Sequence, residues 1–345
     1  MKRLLVFIIL ISACGSDDAA TTTCEAGETF NPIAGTCEVA RVSNPLPDFG
    51  SNDTGGSTDL GQDSENDVQT DPPDMGADSE PDAPVMSCTR DADQDGHIAM
   101  ECGGDDCDDL NASRSPSLGE ICDEFDNDCD TLVNDGITCS FYAHSDTTLY
   151  RLDPFLLTLD TVGALPGLFD IDTHPDGTLY GLSPEFLYRF DATTNQWNKL
   201  PQALGANVGN ANGMAIDSDG KVFITSGNQL YTADLTTGVA QFKGNMGGLY
   251  QSSGDCVVTK QDVLYMTSSH TFTDSLVVVD GINAMTTSVG VTGFNGIWGL
   301  TSAWGRLWGV TSSGDLVEIN RNNGTATRVH TFAASFYGAA STPDR

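Results

Sequence analysis

From residue 141 onward the chain repeats itself, and no other feature narrows its possible folds as much. The segments FYAHSDTTLYRLD, LYGLSPEFLYRFD, VFITSGNQLYTAD, LYMTSSHTFTDSLVVVD and LWGVTSSGDLVEIN align with one another. They begin at Phe141, Leu179, Val222, Leu264 and Leu307, with spacings of 38, 43, 42 and 43 residues. Each reads as a hairpin, two short runs of aromatic and branched residues joined by a turn. Each hairpin ends on Asp153, Asp191, Asp234, Asp280 or Asn320, followed by a Thr/Gly/Asn turn and another strand, for instance Gln196 to Leu200. A further strand precedes most units, separated from them by turns such as Pro175-Asp176-Gly177 or Ser218-Asp219-Gly220. One such unit cannot bury its apolar faces alone and must stack on copies of itself.

Four short strands in each 40-odd residues match a β-propeller blade, so the expected fold class is all-β. Phe336-Tyr337-Gly338-Ala339-Ala340 has the pattern of an innermost strand without a blade, whereas Phe141 opens a blade without an innermost strand. Joining the two predicts a closed ring of five blades over residues 140–345, which leaves no long exposed sheet edge. A β-sandwich offers no reason for five similar units. The repeats resemble those of NHL, gluconolactonase-like and other Tyr-rich bacterial propellers, a generic resemblance that implies no activity. Propellers gather binding residues at one end of the central channel, and Asp170, Asn212, Asp255 and Asn295 are the candidates here. With Trp197, Trp298, Trp304 or Trp308 they would present amides, carboxylates and indoles to a glycan or protein. The competing expectations are a metal-assisted lactone or ester hydrolase or lyase, and plain turn-capping with the Trp residues filling blade interfaces. No GxSxG, HExxH, P-loop or dinucleotide fingerprint occurs, and His144, His174, His270 and His330 share no position in the repeat. The sequence therefore gives an enzyme no motif to rest on.

Acidic residues number 49 against 15 Lys and Arg, a formal charge of −34. Nucleic acid is excluded as a general partner, because neutralising phosphates needs a basic surface, and anionic headgroups are disfavoured for the same reason. The imbalance peaks over residues 91–139, which carry 15 acids and one base, Arg114. Such density calls for neutralisation, and oxygen-rich clusters select hard divalent cations. Asp91-Ala92-Asp93-Gln94-Asp95-Gly96 alternates carboxylates along a tight loop, with Gly96 permitting a sharp bend. Position 12 of that loop is Cys102 rather than a bidentate Glu, so it is not an EF-hand. Asp105, Asp106, Asp108 and Asp109 are the nearby sources of further oxygens. Asp126-Asn127-Asp128-Cys129-Asp130 repeats the alternation, followed by Asn134 and Asp135.

The string GGDDCDDLNASRSPSLGEICDEFDNDCDTLVNDG resembles the MopE-type metal-binding motif of bacterial surface proteins. That motif runs as Asp-Cys-Asp-Asp, a proline-containing loop, Glu-x-Cys-Asp-Gly and Asn-Asp-Cys-Asp-Gly. Here Glu124 and Thr131 stand where the family usually has Gly, and Thr131, at the bend after the second Asp run, predicts a wider or weaker loop there. The family name is linked to copper, but copper prefers imidazole, thiolate and thioether, and the module offers only His97 and Met100. Calcium is the expected ion, with copper as the alternative.

Within residues 88–139, Cys88, Cys102, Cys107, Cys122, Cys129 and Cys139 allow 15 pairings, and the sequence does not choose among them. Three bridges would supply the stability that a segment without an apolar core lacks. The start, MKRLLVFIILISAC, has a basic tip, an apolar run too short to span a bilayer, then small residues and Cys. It resembles a lipoprotein signal peptide over residues 1–13 with Cys14 lipidated, and Gly15 in place of Asp implies sorting to the outer membrane, facing the periplasm or the cell surface. Residues 14–41 form the anchor region, with Cys24 and Cys37 expected to close a small disulfide loop. Residues 42–87 carry 11 acids and no Lys or Arg, and are expected to be a disordered stalk reaching roughly 35–40 Å. With Cys14 lipidated and eight cysteines paired, Cys256 is left as a free thiol in an apolar strand.

Overall fold

The computed structural model describes residues 28–31, 36–39, 91–205, 208–247, 250–269 and 272–341. The chain divides into two compact units after Glu80. In the first, strands β1 (Glu28–Asn31) and β2 (Thr36–Val39) pair antiparallel, with Phe30 opposite Cys37. The expectations for the signal peptide, Cys14, Cys24, the stalk, Cys88 and His270 fall outside the described residues. No helix among the described residues is long and apolar enough to cross a membrane.

The second unit contains the propeller, which is all-β and has five four-stranded sheets. Blade 1 holds β3 (Phe141–His144), β4 (Thr148–Asp153) and β5 (Thr158–Ala164). Blade 2 holds β6 (Asp170–Thr173), β7 (Leu179–Leu182), β8 (Leu187–Asp191) and β9 (Gln196–Lys199). Blade 3 runs from β10 (Ala211–Ile216) through β11 (Val222–Ser226) and β12 (Gln229–Ala233) to β13 (Ala240–Asn245). Blade 4 comprises β14 (Ser252–Val258), β15 (Leu264–Ser269), β16 (Asp274–Val279) and β17 (Thr286–Val291). Blade 5 comprises β18 (Ile297–Ala303), β19 (Arg306–Thr311), β20 (Asp315–Ile319) and β21 (Ala326–Thr331). The last strand, β22 (Gly338–Ala340), pairs with β3 and completes blade 1 from within, as the repeat arithmetic predicts. The innermost strands β22, β6, β10, β14 and β18 each pack on the next, closing the ring.

The Asp or Asn ending each hairpin has a repeated task. Asp153 Oδ1 accepts the N–H groups of Phe155 and Leu156, both at 2.9 Å. Asp191, Asp234, Asp280 and Asn320 accept from the residue two positions on, at 2.7–2.9 Å. Five side-chain-capped turns thus start the outermost strand of each blade. Hydrogen bonds donated by Thr194 and Thr193 hold the Asp191 carboxyl below its usual range, and those from Thr237 and Thr236 do the same for Asp234.

The apolar residues lie between blades rather than within one. Leu182, Leu187, Met214 and Ile224 pack blade 2 on blade 3, and Phe223, Cys256, Met266 and Val277 pack blade 3 on blade 4. Phe141, Trp308, Val310 and Phe336 join blades 5 and 1, where Trp308 lies 6.4 Å from Phe141 and 6.0 Å from Phe155. Cys256 is a buried free thiol in this packing, and burial pushes its pKa up. At the axis the strands come closer than side chains allow. A Cβ on Gly338 would stand 2.7 Å from Asp170 Oδ1, and one on Gly299 would stand 2.7 Å from the carbonyl carbon of Gly338.

Buried carboxylates staple neighbouring blades. Met214 and Ile216 donate backbone N–H groups to Asp170 Oδ2 and Asp172 Oδ2 across blades 2 and 3, each at 2.6 Å. Leu300 donates to Asp255 Oδ2 and Ile297 to Asp274 Oδ2 across blades 4 and 5, the latter at 2.8 Å. Burial raises Asp274 to about 6. A carboxyl that holds its proton more tightly when folded adds stability below the unfolded pKa of about 4, and that contribution is lost as pH rises through about 6. Asp274→Asn keeps an acceptor for Ile297 but cannot titrate. Its unfolding free energy should lack a fall of roughly 2–3 kcal/mol that the native chain shows between pH 4 and 6, measured by urea denaturation across that range.

Candidate metal centres and the propeller mouth

Residues 91–139 contain one short 3-10 turn, Met100–Cys102, and otherwise irregular backbone. The segment has almost no apolar core, since Ile98, Leu110, Ile121, Phe125, Leu132 and Ile137 are all exposed. Its buried residues are mainly polar, with Asp106, Ser115, Asn127 and Asn134 all below 5% exposure. Covalent bonds replace the missing core: Cys107 pairs with Cys129, and Cys122 with Cys139. Cys102 is disulfide-bonded as well.

Two loops share one construction. In the first, Asp91 accepts the N–H groups of Gln94 at 2.6 Å and Gly96 at 2.9 Å. In the second, Asp126 accepts those of Asp130 at 3.2 Å and Thr131 at 2.7 Å. The sixth residue closes both loops with positive φ, +102° at Gly96 and +80° at Thr131. The second loop keeps the tight bend that the Thr131 substitution was expected to widen, with a β-branched residue held in left-handed backbone.

The loops gather carboxylates into two groups. Asp91, Asp93 and Asp95 bring oxygens within 4.8 Å of one another, and so do Asp93, Asp106 and Asp109. The shared Asp93 joins these five into a first centre. Glu120, Asp126 and Asp128 form another such group, and Asp128, Asp130 and Asp135 a further one, so the shared Asp128 makes a second centre. Each inner carboxylate divides its work. Asp93, Asp95 and Asp106 use Oδ1 for the N–H groups of Asp95, His97 and Asp108, at 3.3, 2.9 and 2.7 Å. Their Oδ2 atoms, and Asp128 Oδ1, are buried without a hydrogen-bond partner. Loss of solvent, followed by neighbouring carboxylates, raises the pKa of Asp93, Asp106 and Asp128. Buried oxygens facing like charge and lacking a donor are what a cation would satisfy. A triad of Asp106, Cys107 and Cys129 also lies within reach, but its sulfurs are spent in a disulfide.

Not every expected acid joins. Asp105 turns to His97 Nδ1 at 3.0 Å, and Asp108 to Arg114 at 2.8 Å, with the Arg114 guanidinium 3.4 Å above the Phe125 ring. Glu120, absent from the sequence-based candidates, organises the second centre. Its Oε1 accepts from Asn127 at 2.6 Å and Asp128 at 3.1 Å, and its Oε2 from Asn134. The Glu of the Glu-x-Cys-Asp pattern was the available signal for it. Glu124, the other departure from the motif, reaches the propeller, where Arg306 donates to it at 2.6 Å.

In the propeller, Asp170 and Asp255 lie one residue deeper than the open mouth expected for them. Both are fully buried and hydrogen-bonded to each other, and burial raises both carboxyls well above the usual range. Burial also lowers His144 to about 4 beside them. Asn212 does line the mouth, and Asn295 is exposed in the turn before β18. Among the described residues, no group of three metal-capable side chains lies in the propeller.

The Cu-binding MopE family pattern, a metal-binding motif, matches residues 106–135. No curated protein matches the sequence. Among solved structures the chain is similar to Kuenenia stuttgartiensis hydrazine synthase, at 16% identity and TM-score 0.36, over 48% of this chain and 50% of that one. It is also similar to a chain of a nidogen/laminin complex, at 12% identity and TM-score 0.43, over 58% of this chain and 97% of that one. A third similarity, to an inactive virginiamycin B lyase from Staphylococcus aureus with quinupristin, has 13% identity and TM-score 0.38, covering 59% and 77%. Likenesses this distant carry no argument about what the chain binds or does.

Thr131 stores strain that glycine would not. Thr131→Gly should stabilise the module by about 1 kcal/mol, read as slower amide hydrogen exchange over residues 120–135.

Proposed function

We propose that this is an envelope lipoprotein whose Asp-rich module binds calcium at two centres and whose propeller is a ligand-binding or adhesive head. The observation that carries the cation reading is the set of four buried carboxylate oxygens, on Asp93, Asp95, Asp106 and Asp128, that have no donor. The two centres they belong to are built from carboxylates, a donor set suited to a hard cation with flexible coordination. Bound calcium would cancel the carboxylate repulsion and lock both loops. Because Cys139 lies two residues before β3 and Glu124 bonds Arg306, locking the module would also fix its join to the propeller.

Lipidation at Cys14 would tether the molecule to the outer membrane, with residues 42–87 as the acidic stalk. The propeller is read as a binding head rather than a hydrolase or lyase because its inner acids, Asp170, Asp172 and Asp255, are enclosed and committed to backbone N–H groups. Copper is the second reading, favoured by the name of the matching family and by His97 and Met100 near the first centre.

Calorimetric titration of the oxidised chain should find two calcium sites. Asp93→Ala should weaken the first and Asp128→Ala the second, each by at least about tenfold. Unchanged affinity and stoichiometry in both variants would refute the assignment. Tight copper binding without a calcium response would transfer the role to His97 and Met100.

A further inference from the structure

The strand register defines a ring of equivalent positions at one end of the propeller axis. Asp170, Gly213, Gly299 and Gly338 occupy matching steps of their innermost strands, pairing with Leu182, Thr225, Val310 and His144. The residues one step before them are Phe169, Asn212, Trp298 and Tyr337. In blade 4 the innermost strand is irregular at this point, and Ser253 and Gly254 complete the ring. These residues line an open cavity of about 250 Å³, with a residue from every blade.

The successive blades 5, 1 and 2 contribute Trp298, Tyr337 and Phe169, with the Trp298 and Tyr337 ring centroids 5.2 Å apart. Blades 3 and 4 complete the ring with Asn212, Ser253 and Gly254, where the Ser253 hydroxyl is buried. Asn212 donates Nδ2–H to the Ser252 carbonyl at 3.3 Å, while its Oδ1 is buried without a partner. Trp298 also stands apart from the other indoles. Trp308 and Trp304 pack in the core between blades 5 and 1, and Trp197 lies 5.0 Å from Phe190. A Cβ on Gly254 would stand 2.7 Å from the Trp298 Cα, so glycine there lets Trp298 lie where it does. Phe169, at 46% exposure, is left facing solvent at the same rim.

We propose that this mouth binds one neutral pyranose, the terminal sugar of a glycan. A pyranose has an apolar C–H face that packs on aromatic rings, here Trp298, Tyr337 and Phe169, and a hydroxyl edge that an amide such as Asn212 can meet. No charged side chain lines the cavity, and the carboxylates beneath it, Asp170 and Asp255, are enclosed. The formal charge of −34 repels acidic sugars. The volume suits a single ring rather than a longer saccharide. This deepens the binding-head reading of the propeller and rests on it, but does not depend on which cation the module holds.

The test is saturation-transfer NMR on the oxidised full chain in calcium, using methyl glycosides of glucose, galactose, mannose and N-acetylglucosamine, with glucuronate and choline as charged probes. At least one neutral glycoside should bind in the millimolar range or tighter. Trp298→Ala should weaken it by more than about tenfold, and Trp298→Phe should recover most of that loss. Asn212→Ala should weaken it by about threefold or more, with melting temperature and calcium stoichiometry checked for each variant. Absence of neutral-glycoside binding, binding indifferent to Trp298→Ala, or preference for choline or glucuronate would overturn the proposal. Preference for a charged probe would leave the wider binding-head reading standing.

Discussion

Carboxylate oxygens accepting backbone N–H groups recur at every scale of this protein. At the scale of a turn, Asp153, Asp191, Asp234 and Asp280 start the outermost strands of four blades. Between blades, Asp170, Asp172, Asp255 and Asp274 catch the neighbouring blade at β10 or β18. In the module, Asp91, Asp126 and Glu120 fold whole loops around their side chains. The bond suits an Asp-rich chain because a carboxylate offers several acceptor sites and the irregular backbone leaves many donors free. Its cost is crowded negative charge. The propeller meets that cost by burying carboxyls with raised pKa values, as at Asp170 and Asp255. The module keeps its carboxylates closer to solvent and leaves four oxygens for something cationic.

Most of the propeller was legible because the repeat is written in side-chain period and turn residues. The closing strand could be placed because Gly338-Ala339-Ala340 carries the small residues that the crowded axis demands. The roles of Asp170 and Asp255 were less legible. A mouth position and the position beneath it differ by one residue, and in a strand one residue reverses the side chain. The register, in which Asp170 pairs with Leu182 and Cys256, the residue after Asp255, pairs with Met266, decides between them. In the module the alternating Asp runs pointed to the clusters, but Asp105 and Asp108 were drawn aside by His97 and Arg114, partners that spacing along the chain does not reveal.

The two departures from the metal-binding motif have different physical meanings. Thr131 tolerates left-handed backbone because its N–H is fixed by Asp126, so the loop survives with a conformational cost. Glu124 reaches outward to Arg306, whose guanidinium also lies over Phe155 and Trp308, 5.5 and 5.9 Å from their centroids. Arg306 opens β19 beside the core joining blades 5 and 1. The module is thereby tied to the blade pair where the ring closes, by an ion pair and by the Cys122–Cys139 bridge two residues before β3.

The proposed role of the module rests on a hard cation that is held on its carboxylates and orders it. Amide hydrogen exchange of the oxidised chain, compared in calcium, in copper and in chelator, tests it most directly. Calcium should slow exchange in residues 91–109 and 120–135 and leave blades 2 to 4 unchanged. Exchange in those segments that ignores calcium, or that slows only with copper around His97 and Met100, would contradict it.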